Sequence, residues 1–147
     1  MTPLKIIPGI GIGPFKLGMT REEAWAQTRC GISSFYAQEW ATERSDDFTA
    51  LGIHAHYESG RVTRLVAFTR TPHFGQNVLQ LHDENMTWEF RRADVVALLD
   101  LHELAHIERE DQVVAGGLGL TFGFQERGDG EERLDYVLVE VIGGKAP

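Results

Sequence analysis

"LGIHAHYE", residues 51–58, and "LGLTFGFQ", residues 118–125, decide how this chain is read. In the first, Leu51, Ile53, Ala55 and Tyr57 fall on one side, and His54, His56 and Glu58 on the other. In the second, Leu118, Leu120, Phe122 and Phe124 alternate with Gly119, Thr121, Gly123 and Gln125. A period of two is that of a strand with one buried face. Each run leads to a turn, at Ser59-Gly60 or at "GDGE" (128–131), and then to a second apolar strand, "RVTRLVAFT" (61–69) or "ERLDYVLVEVI" (132–142). Both therefore read as β-hairpins. Val62, Val66 and Phe68 are expected to supply one face of the first partner strand.

Each hairpin is preceded by a helix signal. In "MTREEAWAQTRCG" (19–31), Thr20 and Glu23 form a capping box and Gly31 offers a stop. In "RRADVVALLDLHE" (91–103), Val95, Leu98, Leu99 and His102 share one stripe. "SSFYAQEW" (33–40) and "VLQLHDENMTWEF" (78–90, with a turn at "DEN") have strand character, and "RTPHFGQN" (70–77) reads as a linker. "GIGIGP" (9–14) reads as a short strand or loop. It lacks the G-x-G-x-x-G of a dinucleotide site. The order of elements repeats, which predicts an internal duplication of a helix-plus-hairpin unit of about seventy residues. The expected fold is α+β, an antiparallel sheet with two helices on one face, in one domain spanning 1–147 with subunits near 1–70 and 76–147.

The stretch "GIGPFKLGMTREEAW" (11–25) resembles the opening of many small bacterial proteins with this Gly-Met-Thr helix entry. It is similar to the entry found in the small outer-membrane assembly lipoproteins and in β-lactamase inhibitor protein. The resemblance implies a helix packed on an antiparallel sheet, sometimes repeated in tandem, whose open face binds other proteins.

Apolar content of 42% with 24% charged residues suits a globular chain with its own core. The single cysteine, Cys30, excludes an internal disulfide framework, and it is expected to fill a small core gap. The first twenty residues carry neither a long apolar run with a small-residue cleavage site nor a lipoprotein-type cysteine. The expected address is therefore the cytoplasm, without membrane attachment. Net charge is −8 and unevenly spread: eight Lys/Arg face seven Asp/Glu in 1–73, but six face fifteen in 74–147. Nucleic-acid binders show the opposite balance, so no nucleic acid is expected, and the charge reads either as a solvated acidic surface or as a match for a basic protein partner.

"LHELAH" (101–106) contains the His-Glu-x-x-His spacing of zinc hydrolases, with His102 and His106 as ligands and Glu103 as base. That chemistry needs both histidines one turn apart on a single helix. The helix is expected to end near His102, with "AHIERE" opening a strand, so the motif is read as a helix end with its histidine at the carbonyl pole. No metal and no cofactor are expected. Trp25, Trp40 and Trp88 are expected in the core, with Tyr36 and Trp40 as alternative interface anchors. The expected binding surface is the sheet face opposite the helices. It comprises His54, His56 and Glu58 from one hairpin and Thr121, Gly123 and Gln125 from the other. The acidic turn of Glu126, Asp129, Glu131 and Glu132 supplies steering. The functional expectation is a non-catalytic inhibitor of a protein, in its sharpest form an immunity protein against a basic toxin domain. The alternatives are the zinc hydrolase and a small-molecule binder within the curved sheet.

Overall fold

A computed structural model describes residues 3–29, 31–71 and 75–142; Cys30 and Pro72 lie outside the described residues. The first half opens with β1 (Leu4–Ile7), β2 (Gly11–Ile12) and β3 (Phe15–Lys16), then α1 (Arg21–Trp25). It continues through β4 (Ile32–Phe35), β5 (Ser45–Phe48), β6 (Ile53–Glu58) and β7 (Arg61–Phe68). A small hairpin, β8 (Arg70–Thr71) and β9 (Gly75–Gln76), links it to the second half. There β10 (Leu79–Leu81) and β11 (Glu84–Met86) precede α2 (Arg92–Leu101). β12 (Ile107–Glu108), β13 (Gln112–Ala115), β14 (Leu120–Glu126) and β15 (Glu132–Glu140) close the chain.

The expected α+β layering, with two helices covering one face of an antiparallel sheet, is overturned. Strands take 46% of the structure and helix 14%. An eight-stranded sheet runs β12-β13-β14-β15-β7-β6-β5-β4, and a five-stranded sheet runs β11-β10-β1-β2-β3. The Gly-rich opening segment is the reason. It makes strands, and β1 pairs parallel with β10 through Leu4–Leu79 and Ile6–Leu81. Ile6, Ile12, Phe15, Leu79, Leu81 and Met86 from this second sheet join Val95 and Leu99 of α2 against the inner face of the large one. Phe15 meets Phe48 with ring centroids 4.5 Å apart.

α1 is also shorter than expected and stops well before Gly31. The capping box forms as read: Thr20 Oγ1 accepts from the Glu23 amide, and the Thr20 amide donates to Glu23 Oε1. Five residues make a marginal helix, so its place depends on tertiary contacts. Trp25 and Trp40 are 43% and 77% exposed, so neither is the core residue expected. Among the described residues no helix is long and apolar enough to cross a membrane.

Each expected unit of about seventy residues carries more strand than a helix plus a hairpin. Both halves trace opening strands, three in the first and two in the second, then a helix and a four-stranded meander, and the two meanders meet through antiparallel β7 and β15. Small details recur. Gly52 and Gly119 both turn with positive φ, +64° and +66°. The Gly52 carbonyl accepts from the Phe68 amide and the Gly119 carbonyl from the Glu140 amide, each at 2.9 Å. The strand register shifts after His56 in β6 and after Gly123 in β14. The amides of Val62 and Leu134 donate to Met19 and Phe90 just ahead of each helix. Tyr57 and Phe124 thus occupy corresponding places, as do Asp46 and Val113.

Candidate functional site

Strand alternation sends one set of side chains into the core and the other onto the outer face of the large sheet. Ile53, Ala55 and Tyr57 go inward as the sequence predicts, and so do Leu120, Phe122 and Phe124. The register shift at His56–Tyr57 changes the partner strand. Leu65 and Ala67 are fully buried inward, while Val66 pairs with His54, and Phe68 meets the His54 ring, on the outer face. The expectation that Val66 and Phe68 would share the face of Val62 is corrected by that bulge.

Outer positions line up across strands. One row runs Val114–Thr121–Leu138–Val66–His54–Asp47, and beside it Gln112–Gly123–Tyr136–Phe68. Rings join along the face: Phe35 to His54 at 5.0 Å, His54 to Phe68 at 4.8 Å, and Phe68 to Tyr136 at 6.2 Å. The sequence reading missed Phe35, Phe68 and Tyr136. The alternation Arg64, Val66, Phe68 would have pointed to them had the bulge been placed.

Of the expected site residues, His54, His56 and Thr121 lie on this face, while Glu58 and Gln125 are exposed near the ends of their strands. Gly123 is not open. A Cβ added there would fall on the Tyr136 ring, and the Tyr136 hydroxyl accepts from Gln112 Nε2 at 2.8 Å. The neighbouring Tyr136 ring fills the space beside this expected contact residue.

Burial between Phe35 and Phe68 holds the His54 imidazole below its ordinary pKa, against the pull of Asp47, whose Oδ1 is 3.4 Å away. His56 is pushed down to about 4, first by burial and then by the Arg64 and His54 charges. It is therefore neutral at physiological pH, and its Nδ1 lies 2.7 Å from Ser45 Oγ. His56, Ser45, Thr63 and Arg64 line a cleft of about 330 Å³ together with Trp40 and Glu43 of the β4–β5 connection.

The acidic turn is largely neutralised from within. Glu131 pairs with Arg91 at 2.6 Å and with Arg133 at 2.8 Å, Glu132 with Arg92 at 2.9 Å, and Asp129 with Arg133 at 3.2 Å. Among the described residues of this turn, Glu126 has no ion pair.

The His-Glu-x-x-His segment does not form a zinc-hydrolase helix. α2 ends at Leu101 with His102 as its C-cap, and Glu103 turns with φ of +55°. The His102 ring stacks on His82 with centroids 4.6 Å apart. His106 lies just before β12, and its Nδ1–H donates to the Leu104 carbonyl at 2.9 Å. The two histidines thus belong to a helix end and to the approach of a strand, as the segment reads in sequence.

No protein-family model, curated protein or solved structure matches the chain.

Proposed function

We propose that this is a cytoplasmic protein-binding module that seats a partner on the outer face of its eight-stranded sheet. The observation that carries the reading is the ring run Phe35–His54–Phe68–Tyr136. It crosses from β4 to β15 on the face away from the helices and the smaller sheet. Aromatic anchors flanked by polar groups are the usual energetic centre of an interface. The His54 and His56 rings are held neutral, so they add contact surface without the cost of burying a charge. The net charge of −8 favours a basic partner. An immunity protein against a toxin is the sharpest form of the proposal, and the likeness of the helix entry to that of β-lactamase inhibitor protein supports it.

The test is capture from the native host with wild type and two variants, Phe68→Ala/Tyr136→Ala and Thr121→Arg, each checked for an intact fold by circular dichroism. Wild type should retain a basic partner that both variants lose, and co-expression should relieve that partner's toxicity. Equal capture by wild type and folded variants sinks the proposal.

A further inference from the structure

Arg64 lies on the outer face, in register with Glu140 and His56, yet among the described residues it forms neither an ion pair nor a side-chain hydrogen bond. A free guanidinium inside a cleft is an unfilled anion site, because its fork of donors matches a carboxylate bidentately. A second observation points the same way. Ser45 Oγ and His56 Nδ1 share one hydrogen bond. Whichever atom holds the shared proton, one polar hydrogen is left over, on His56 Nε2 or on the Ser45 hydroxyl. Arg64 and this pair line the same cleft.

The carboxylates in the lining do not cancel this. Glu43 Oε1 accepts from the Gly60 amide at 2.8 Å, and Glu58 is exposed to solvent, where screening weakens it. Trp40 adds a large, 77% exposed indole to the same lining. A volume of about 330 Å³ suits a ligand of roughly ten heavy atoms and lies at the lower end of small-molecule sites.

We propose that this cleft binds a small aromatic carboxylate, with Arg64 and the Ser45–His56 pair on the carboxylate and Trp40 against the ring. The site does not depend on the protein partner proposed above, and its test is separate. The full chain is titrated with benzoate, with neutral benzamide and with cationic benzamidine, and followed by amide NMR. Benzoate should bind saturably, with shifts centred on residues 38–43 and 58–64. Benzamide should bind at least about tenfold more weakly, since a charge-assisted hydrogen bond is lost. Arg64→Met should remove benzoate binding, and Trp40→Ala should weaken it. Phe68→Ala/Tyr136→Ala should leave it unchanged, which separates failure here from failure of the partner surface. Absence of saturable benzoate binding to wild type, preference for benzamidine, or unaltered binding by Arg64→Met overturns the proposal.

Discussion

Arg21 and Arg92 open the two helices at corresponding places, and each lies over a corresponding aromatic ring. The guanidinium carbon of Arg21 is 4.2 Å from the Tyr57 centroid, and that of Arg92 is 5.2 Å from Phe124. Beneath them the halves differ. In the first, Asp46 is fully buried and accepts four side-chain donors: Arg21 Nη1 at 2.9 Å, Trp25 Nε1 at 2.7 Å, Ser34 Oγ at 2.8 Å and the Tyr57 hydroxyl at 2.7 Å. In the second, Val113 takes the place of Asp46, and Arg92 turns to the carbonyls of Arg109, Glu110 and Gln112 and to Glu132. One scaffold therefore tolerates either a saturated buried charge or an apolar residue at the same point. What it does not tolerate is a half-satisfied mixture.

The sharpest way to break this comparison is to make the mixture. Asp46→Ala leaves Trp25, Ser34 and Tyr57 with orphaned donors and Arg21 without its counter-charge, so it should cost about 3–5 kcal/mol in urea unfolding. Asp46→Val combined with Tyr57→Phe copies the second half. That pair should recover about 1–2 kcal/mol relative to Asp46→Val alone, because one orphan is removed with the carboxylate. Strict additivity of the two changes would show that the halves are not interchangeable here.

The matched glycines give the next effect. A Cβ at Gly119 would strike the Glu140 carbonyl, which is backbone and cannot give way. At Gly52 it would meet Thr71 Cγ2 at 2.5 Å and Asn77 Nδ2 at 2.6 Å. These are side-chain atoms, although Asn77 is tied to the Leu51 and Phe68 carbonyls. Gly119→Ala should cost roughly 2–4 kcal/mol and Gly52→Ala less, measured side by side. The reverse order would mean that the two turns are not equivalent.

The smallest effect is in pH. The first half carries His56 where the second carries Gly123. The folded-state pKa of His56 is pushed down to about 4, below the ordinary value near 6.5. Between those values the unfolded chain binds a proton that the folded chain refuses. Stability is therefore full above about pH 6.5 and falls as pH drops toward 4. After allowance for a partly exposed ring, the loss is roughly 1–2 kcal/mol. His56→Asn should flatten most of that slope, and His54, shifted the same way, should leave a remainder. A slope unchanged by His56→Asn would place the titration elsewhere.

Much of this was legible in sequence wherever the determinant is local. The Thr20–Glu23 box, the end of α2 at His102 and the inward sets Ile53/Ala55/Tyr57 and Leu120/Phe122/Phe124 follow from residues within a few positions of one another. What was not legible depends on distant partners. "LGIHAHYE" reads as one strand from Leu51, but the left-handed Gly52 sits in the turn after β5, so β6 begins only at Ile53. Asp46 carries no signal of its role within its own segment; Arg21 and Trp25 reach it from α1. The acidic turn looks unopposed until Arg91 and Arg92 arrive from the start of α2. Gly123 looks open because the ring that covers it belongs to the next strand. For the acidic turn and for Gly123 the segment lies where its pattern places it, and the missing information was the identity of the neighbour.

The junction of β7 with β15 also has a consequence for synthesis on the ribosome. When Phe68 has emerged, β7 is paired with β6 on one side only, and its other edge waits for β15 near the end of the chain. β1 likewise waits for β10. A nascent chain paused between the halves thus displays an unsatisfied strand, Arg61–Phe68, that is complementary to the β15 of any finished copy. The same pairing that completes the molecule also sets its route to misassembly, by exchange of whole halves between chains.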